Sequence, residues 1–401
     1  MGIRLGLGRQ RLGRPLTAMR IAFGLVMFIS TLRFMAKGWV DEFYVQPHFH
    51  FPFYPLQWLR PLPAAGMYAV FVLMALASLG LTLNRFYRPA AAVFFLCFTY
   101  TELLDKSFYL NHYYLVSLIS FLLIWVPADH RGANIIKFQI CIVYFFAGLS
   151  KLTHAWMIDA LPLKIWLPAF GGIFKQVWIA YAFSWFGALF DLTIWLFLLL
   201  PRTRITAYLV VIIFHLTTAL LFKIGMFPYI MIAITLIFFA PEPTEELPKT
   251  TTNQKPLKIF LAGYFLLQLT LPLRYLCYPG NLCWTEEGFR FSWRVMLMEK
   301  GGTAFFYVKD ARSGRRWEVE NKKFLTPLQE RQMSTQPDMI LQFAHHLHDT
   351  YQKKGIADPV VTVEDYVTLN GAGSRLYIDT TVDLAKQQES FLPKKWILPY
   401  H

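Results

Sequence analysis

For its first two-thirds the chain alternates long apolar runs with short polar connectors. The runs fall at about 17–36, 64–84, 90–104, 113–126, 136–150, 177–200, 205–222, 226–240 and 257–273. Each reads as a helix of near-continuous hydrophobicity, which predicts about nine membrane spans. Several are near 15 residues, short of the ~20 that cross hydrocarbon unaided, so they are expected to sit among neighbours or to lean on interfacial aromatics. From about 284 onward the period changes. "TAFFYVKDARSGRRWEV" reads as two strands around a turn at Ser313-Gly314. "QPDMILQFAHHLHDTYQKKG" puts Ile340, Phe343, Leu347 and Tyr351 on one helical stripe, with Pro337 near its first turn and Gly355 just past its end. "VVTVEDYVTLNGAGSRLYID" reads as a second hairpin, turning at Asn370-Gly371. The expected fold is therefore a polytopic α-helical membrane bundle (1–275) followed by a smaller mixed α/β extramembrane domain (276–401). A polar, proline-bearing linker over 241–256 joins the last two spans.

Composition agrees with this division: 55% of residues are hydrophobic and 17% aromatic, more than soluble domains carry. Arg4, Arg9, Arg11 and Arg14 precede the first run and no small-residue cleavage site follows it, so a retained signal-anchor helix is expected. The formal charge of +14 sits largely in alternate short connectors: Arg85 and Arg88, Arg131 and Lys137, Arg202 and Arg204, then Lys249, Lys255 and Lys258. That is the positive-inside pattern and not a nucleic-acid footprint. The opposite loops (37–63, 105–112, 151–176, 223–225) are aromatic and poor in basic residues for their length. With the N-terminus cytoplasmic, the C-terminal domain falls on their side: the periplasm in a bacterium, the endoplasmic reticulum lumen in a eukaryote. Cys97 and Cys141 lie in apolar runs as core thiols, while Cys277 and Cys283 flank "YPGNL" and are a candidate disulfide if that side is oxidising.

The motifs of soluble enzymes are missing: there is no G-x-S-x-G, Walker loop, H-E-x-x-H or CxxC. What remains is a set of polar groups near span ends on the aromatic-loop side: Lys151, Asn111 and His112, His215, and Asp191. Each has an ordinary reading: a snorkelling lysine, a capping histidine, a histidine bonded to a carbonyl, an aspartate paired with a cation. Their convergence on one side favours a site. A lysine stripped of water is a usable base, and the apolar "YFFAG" before Lys151 supplies the burial expected to leave it uncharged. His48 and His50 alternate with aromatics, but no cysteine or carboxylate cluster accompanies them, and no metal is expected. His345, His346 and His348 read as a solvated helix face. Arg312, Arg315, Arg316, Lys322 and Lys323 form a basic hairpin, a solvated edge that could attract an acidic polypeptide.

Several stretches, in order, resemble the vitamin K-dependent γ-glutamyl carboxylases and their bacterial relatives: "LRPLP" (59–63), "LLDKSFYLNHYYL" (103–115), "IVYFFAGLSKL" (142–152), "FDLT" (190–193), "FHLTTALLFKIGMFPYIM" (214–231), "WTEEGFRFSW" (284–293) and "RSGRRWEV" (312–319). The transmembrane part also resembles the broader HTTM family. The resemblance implies an enzyme that couples oxidation of vitamin K hydroquinone (or menaquinol) by O2 to carboxylation of protein-bound glutamate with CO2, without a metal. It implies that Lys151 is the base acting on the hydroquinone, that His112 and His215 assist, and that Asn111, Asp191 and Tyr144 support the quinone pocket. Trp284, Phe289, Phe291 and Trp293 would help hold the glutamate substrate. The chain departs from the family where Phe289 and Phe291 stand in place of familiar tyrosines, and the long extensions of the animal enzymes look absent or shortened. Two rival readings are a quinol-oxidising membrane enzyme without peptide carboxylation and a non-enzymatic membrane module that binds lipid or a partner.

Overall fold

The computed structural model describes residues 7–222, 224–240 and 255–400. Arg4, Lys249, position 223 of a short outer loop and nearly all of the expected 241–256 linker lie outside the described residues. Each of the nine apolar runs falls on a helix: α1 (Leu7–Ala36), α2 (Ala64–Thr82), α3 (Tyr87–Leu104), α4 (Asn111–Trp125), α5 (His130–Leu149), α8 (Val177–Leu199), α9 (Arg204–Leu221), α10 (Phe227–Thr235) and α11 (Lys255–Thr270). Short helices α6 (His154–Met157) and α7 (Leu163–Trp166) interrupt the loop after α5. Six segments are long and apolar enough to cross a membrane alone: Pro15–Ala36, Ala64–Thr82, His130–Leu149, Val177–Leu199, Arg204–Leu221 and Lys255–Cys277. The expected count of about nine thus reduces to six by that measure, because Asn111–Trp125 and Phe227–Phe239 are apolar but shorter and α3 carries Arg88 and Glu102. The chain is an integral membrane protein.

The helices sort their side chains by solvent. In α1, Leu16, Met19, Phe23 and Met27 are buried, while Ile21, Leu25, Ile29 and Leu32 form an exposed apolar stripe. Exposed aliphatics at helical spacing are the signature of a face turned to lipid. In α9 the exposed stripe is Ile205, Leu209, Ile213, Leu216 and Leu220, and the opposite face is Ala207, Val211 and His215. Helix α5 is the most enclosed of the six spans. It starts six residues earlier than expected, capped by the Asp129 carboxylate. Lys137, expected among the loop cations, therefore lies inside α5 and reaches the Ala240 carbonyl at 3.3 Å. Helices α5 and α8 touch at Gly148, where a Cβ would stand 2.6 Å from the Leu192 nitrogen, so only glycine permits that approach.

The C-terminal part carries an antiparallel sheet of order β2-β1-β3-β4, built from β1 (Lys300–Asp310), β2 (Arg316–Glu318), β3 (Pro359–Leu369) and β4 (Arg375–Leu376). Both expected hairpin turns are present: Gly314, Asn370 and Gly371 take the positive φ that tight hairpins require. Helix α14 (Pro337–Lys353) packs on the sheet through Ile340, Phe343 and Leu347, and Tyr351 continues the stripe half-buried. His345, His346 and His348 are also half-buried, not solvated: His345 Nε2 lies 2.8 Å from the Gln387 carbonyl, and the His346 ring packs on Phe49 at 4.4 Å. Both Cys277 and Cys283 are free. The candidate disulfide is not formed, since Cys277 is exposed after α11 while Cys283, in α12 (Leu282–Thr285), packs against the domain core.

Strand β3 alternates buried and half-exposed positions, and the alternation places Asp365 among Val361, Val363 and Val367 on the core face. Neither carboxylate oxygen has a hydrogen-bond partner among the described residues. Burial pushes this carboxyl well above the usual carboxylate range, with the Lys300 charge pulling it back. A raised folded-state pKa stabilises the fold below the unfolded value of about 3.9 and loses that stabilisation as pH rises through the folded value. Asp365→Asn is expected to remove this decline. Circular-dichroism melts at about pH 4 and about pH 8 should then converge relative to wild type.

Outer loops of the bundle are pinned to this domain. Short helix α13 (Pro327–Met333) sends Gln329 Nε2 to Asp105 Oδ2 at 2.9 Å and to the Phe49 carbonyl at 2.8 Å. Lys106 and Arg290 converge on Asp338, at 2.8 and 2.7 Å. Although burial opposes it, the Arg290 and Lys106 charges hold Asp338 below the usual carboxylate range. Phe51, from the loop before α2, sits in the C-terminal core.

Candidate functional site

Lys151 lies in the turn that ends α5, its N–H bonded to the Gly148 carbonyl at 2.9 Å. The side chain folds back along the helix and is buried. Its Nζ donates to the Ala147 carbonyl at 3.2 Å and to Asp191 Oδ2 at 2.7 Å, and it lies 5.4 Å from the centroid of the Trp156 ring. Asp191 belongs to the buried stripe Ser184, Gly187, Asp191, Ile194 and Leu198 of α8, at spacings of three and four. The close approach at Gly148 sets the α8 backbone beside the end of α5, where the two side chains meet. The surroundings are apolar, and the amine faces an acid, so Asp191 is paired with a cation, the ordinary reading its sequence position carries.

These two side chains form part of the wall of a cavity with about 870 Å³ of empty space. Asn111, His112, Tyr144 and His215 also line it, so the structure brings together every polar group that the sequence singled out in the bundle. The rest of the lining is largely aromatic and aliphatic, as in sites for apolar small molecules. Tyr144 Oη lies 3.2 Å from His215 Nε2, and among the described residues neither His215 Nδ1 nor His112 Nε2 has a partner. Phe227 separates the two imidazoles, its ring centroid 5.5 Å from each. Two buried, unpaired nitrogens on a cavity wall are costly unless a ligand satisfies them.

Segment 290–296 closes the cavity from the domain side. Phe291, Trp293 and Met296 have φ of 60°, 60° and 57°, a conformation costing about 1–3 kcal/mol for bulky residues. The structure holds it with a relay. Tyr109 Oη accepts the Phe291 N–H at 2.7 Å and donates to Asn111 Oδ1 at 2.9 Å, and Asn111 Nδ2 donates to the Arg294 carbonyl at 2.6 Å. Trp293, stacked on Tyr114 at 5.0 Å, lines the cavity with Val295 and Met296. Phe291 instead faces a separate charged cavity shared with Lys106, Arg290 and Asp338. Phe289 is half-buried and is not among the residues lining either one. Trp284 is a core residue of the C-terminal domain, its Nε1 donating to the Leu398 carbonyl at 2.7 Å. Of the four aromatics expected around the glutamate, Trp293 alone reaches the first cavity.

Sequence reasoning missed Trp156 and Phe227. Neither shows in a helical period, because α6 folds back under Lys151 and the chain reverses before α10. His48 and His50 line a cleft beside α14 with His345 and His346. Among the described residues, no group of three or more His, Cys, Asp or Glu is placed to share a metal ion.

Two family models match the chain. Residues 253–401 match the vitamin K-dependent gamma-carboxylase, lumenal domain, and residues 10–133 and 132–242 match the HTTM domain. No solved structure matches it.

Proposed function

Because this chain belongs to the vitamin K-dependent gamma-carboxylase family, whose members sit in membranes and act on glutamate-containing proteins, we propose that it is itself a vitamin K-dependent carboxylase and epoxidase. It would be a carbon–carbon lyase in which the hydroquinone and O2 become epoxide and water. In the same turnover a glutamyl γ-carbon exchanges its proton for CO2, giving γ-carboxyglutamate. The carrying observation is the mostly apolar cavity on which Lys151, Asp191, His112 and His215 converge.

The residues fit a lipid-soluble hydroquinone. The cavity walls are mainly apolar, and the two orphaned imidazole nitrogens are the polar groups a diol would satisfy. When bound, the hydroquinone supplies the reducing power that turns O2 into a base strong enough for a glutamyl γ-hydrogen. Lys151 can take a proton only with its nitrogen unprotonated, and Asp191 Oδ2, 2.7 Å away, is the group positioned to hold the extra proton. Tyr144 fixes the His215 ring, and Asn111 ties α4 to the segment that seals the site. That seal keeps water from a strongly basic reaction. The catalytic bundle runs to about residue 275. The N-terminus lies in the cytoplasm and the following domain in the periplasm of a bacterium, or in the lumen in a eukaryote.

The places of Trp284 and Phe289, away from the cavity, favour one second reading: hydroquinone oxidation without peptide carboxylation. Membranes containing the protein, given reduced vitamin K, labelled bicarbonate and a glutamyl peptide, are expected to yield epoxide and labelled peptide. Epoxide without label would establish the second reading, and neither product would sink both.

A further inference from the structure

The buried cations of the domain interface are nearly all matched to acids. Lys106 and Arg290 share Asp338, Lys300 meets Glu286, and Lys394 meets Glu287. Arg294 differs. It is only 8% exposed, forms no ion pair among the described residues, and its Nε has no hydrogen-bond partner. Its guanidinium lies 4.3 Å from the centroid of the Tyr275 ring, which offsets only part of the desolvation cost.

The side chain lines a cleft with about 1600 Å³ of empty space between the loop after α5 and the C-terminal domain. This cleft lies back to back with the first cavity. Ser150 lines one and Lys151 the other; likewise Ser292 and Arg294 line the cleft while Trp293 and Val295 line the cavity. The electrostatics select the ligand. The neighbouring charged cavity balances Asp338, Glu286, Glu287 and Glu389 with Lys106, Arg290, Lys394 and Arg274; the first three cations are already ion-paired, and Arg274 is used on the Arg290 carbonyl at 2.8 Å, so its cations are already engaged. The cleft holds one acid, Asp159, already 3.0 Å from His154 Nδ1.

We infer that this cleft receives the peptide and that Arg294 binds the γ-carboxylate of its glutamyl residue, an assignment that rests on the carboxylase reading above. A guanidinium fork matches a carboxylate with two parallel hydrogen bonds, and a lysine at the same place would match it less well. The same charge has a second use. Removing the γ-proton leaves a carbanion beside the carboxylate, so two negative charges adjoin, and the guanidinium offsets the second.

Equilibrium binding of a fluorescent glutamyl peptide and its glutaminyl counterpart to the full chain in detergent tests the assignment. Wild type should prefer the glutamyl peptide. Arg294→Gln should lose that preference, weakening glutamyl-peptide binding by about tenfold or more, as for a lost charge-assisted pair. Arg294→Lys should keep part of it. In turnover the peptide KM should rise in Arg294→Gln while the KM for reduced vitamin K moves far less. Retained preference in Arg294→Gln, or both KM values rising together, overturns the assignment. A wild type that binds the glutamyl peptide through Arg294 yet fixes no label supports the assignment and sinks carboxylation. Labelled peptide from Arg294→Gln at unchanged peptide KM does the reverse.

Discussion

Lys151→Arg is expected to lower epoxide formation from reduced vitamin K by at least about a hundredfold, within the 10²–10⁴ that a positioned base contributes. The arginine variant is the informative one. Lys151→Ala should be equally inactive, but it leaves the Asp191 carboxylate buried and unpaired, which costs about 3–5 kcal/mol and confounds inactivity with unfolding. Arginine keeps a cation against Asp191 and cannot give up its proton near neutral pH. A Lys151→Arg protein that melts like wild type and forms no epoxide isolates the proton-accepting role. One that retains most of the activity removes the base from the mechanism, whatever the alanine variant does.

The second large effect lies in the C-terminal domain. Lys300 Nζ is enclosed by four oxygens: the Trp284 carbonyl at 2.6 Å, the Thr335 carbonyl at 2.8 Å, Glu286 Oε1 at 3.0 Å and Tyr377 Oη at 3.1 Å. Burial lowers the pKa of this ammonium, and the Glu286 charge opposes the shift. Lys300→Met deletes the donor and strands Glu286, for a cost of about 3–5 kcal/mol and a fall in melting midpoint on the order of 10 °C. Scanning calorimetry of the intact chain measures it. The double variant Lys300→Met/Glu286→Leu should recover part of the loss, since the stranded charge goes with it. A single variant that melts within about 2 °C of wild type would show that the network adds little.

Hydrophobic patterning made the bundle legible, because lipid-facing helices must be apolar throughout and few other structures are. The hairpins were legible through Ser313-Gly314 and Asn370-Gly371, where only certain residues take the backbone angles. The polar groups of the cavity were legible as well, since His112, Lys151, Asp191 and His215 are anomalous within or at the ends of such helices. Their pairing was not. Nothing in the spacing of residues 151 and 191 shows that α5 and α8 touch; the contact depends on Gly148, which reads as an ordinary helix glycine. The place of Trp284 was not legible either. The family resemblance implied its role beside the glutamate, but the chain turns at once into the soluble core and takes Trp284 with it. Asp365 hid within a strand pattern whose parity, once set by its valines, turns a carboxylate inward.

The backbone between Arg290 and Met296 lends side chains to three separate chambers. It has little slack, being fixed by Tyr109 and Asn111 and bent at three bulky residues. A guest that moves one of these residues re-aims those beside it, so such a shift in one chamber is felt, more weakly, in the next. Thermodynamic reciprocity then applies: by whatever factor a peptide changes the hold on a quinol, the quinol changes the hold on the peptide.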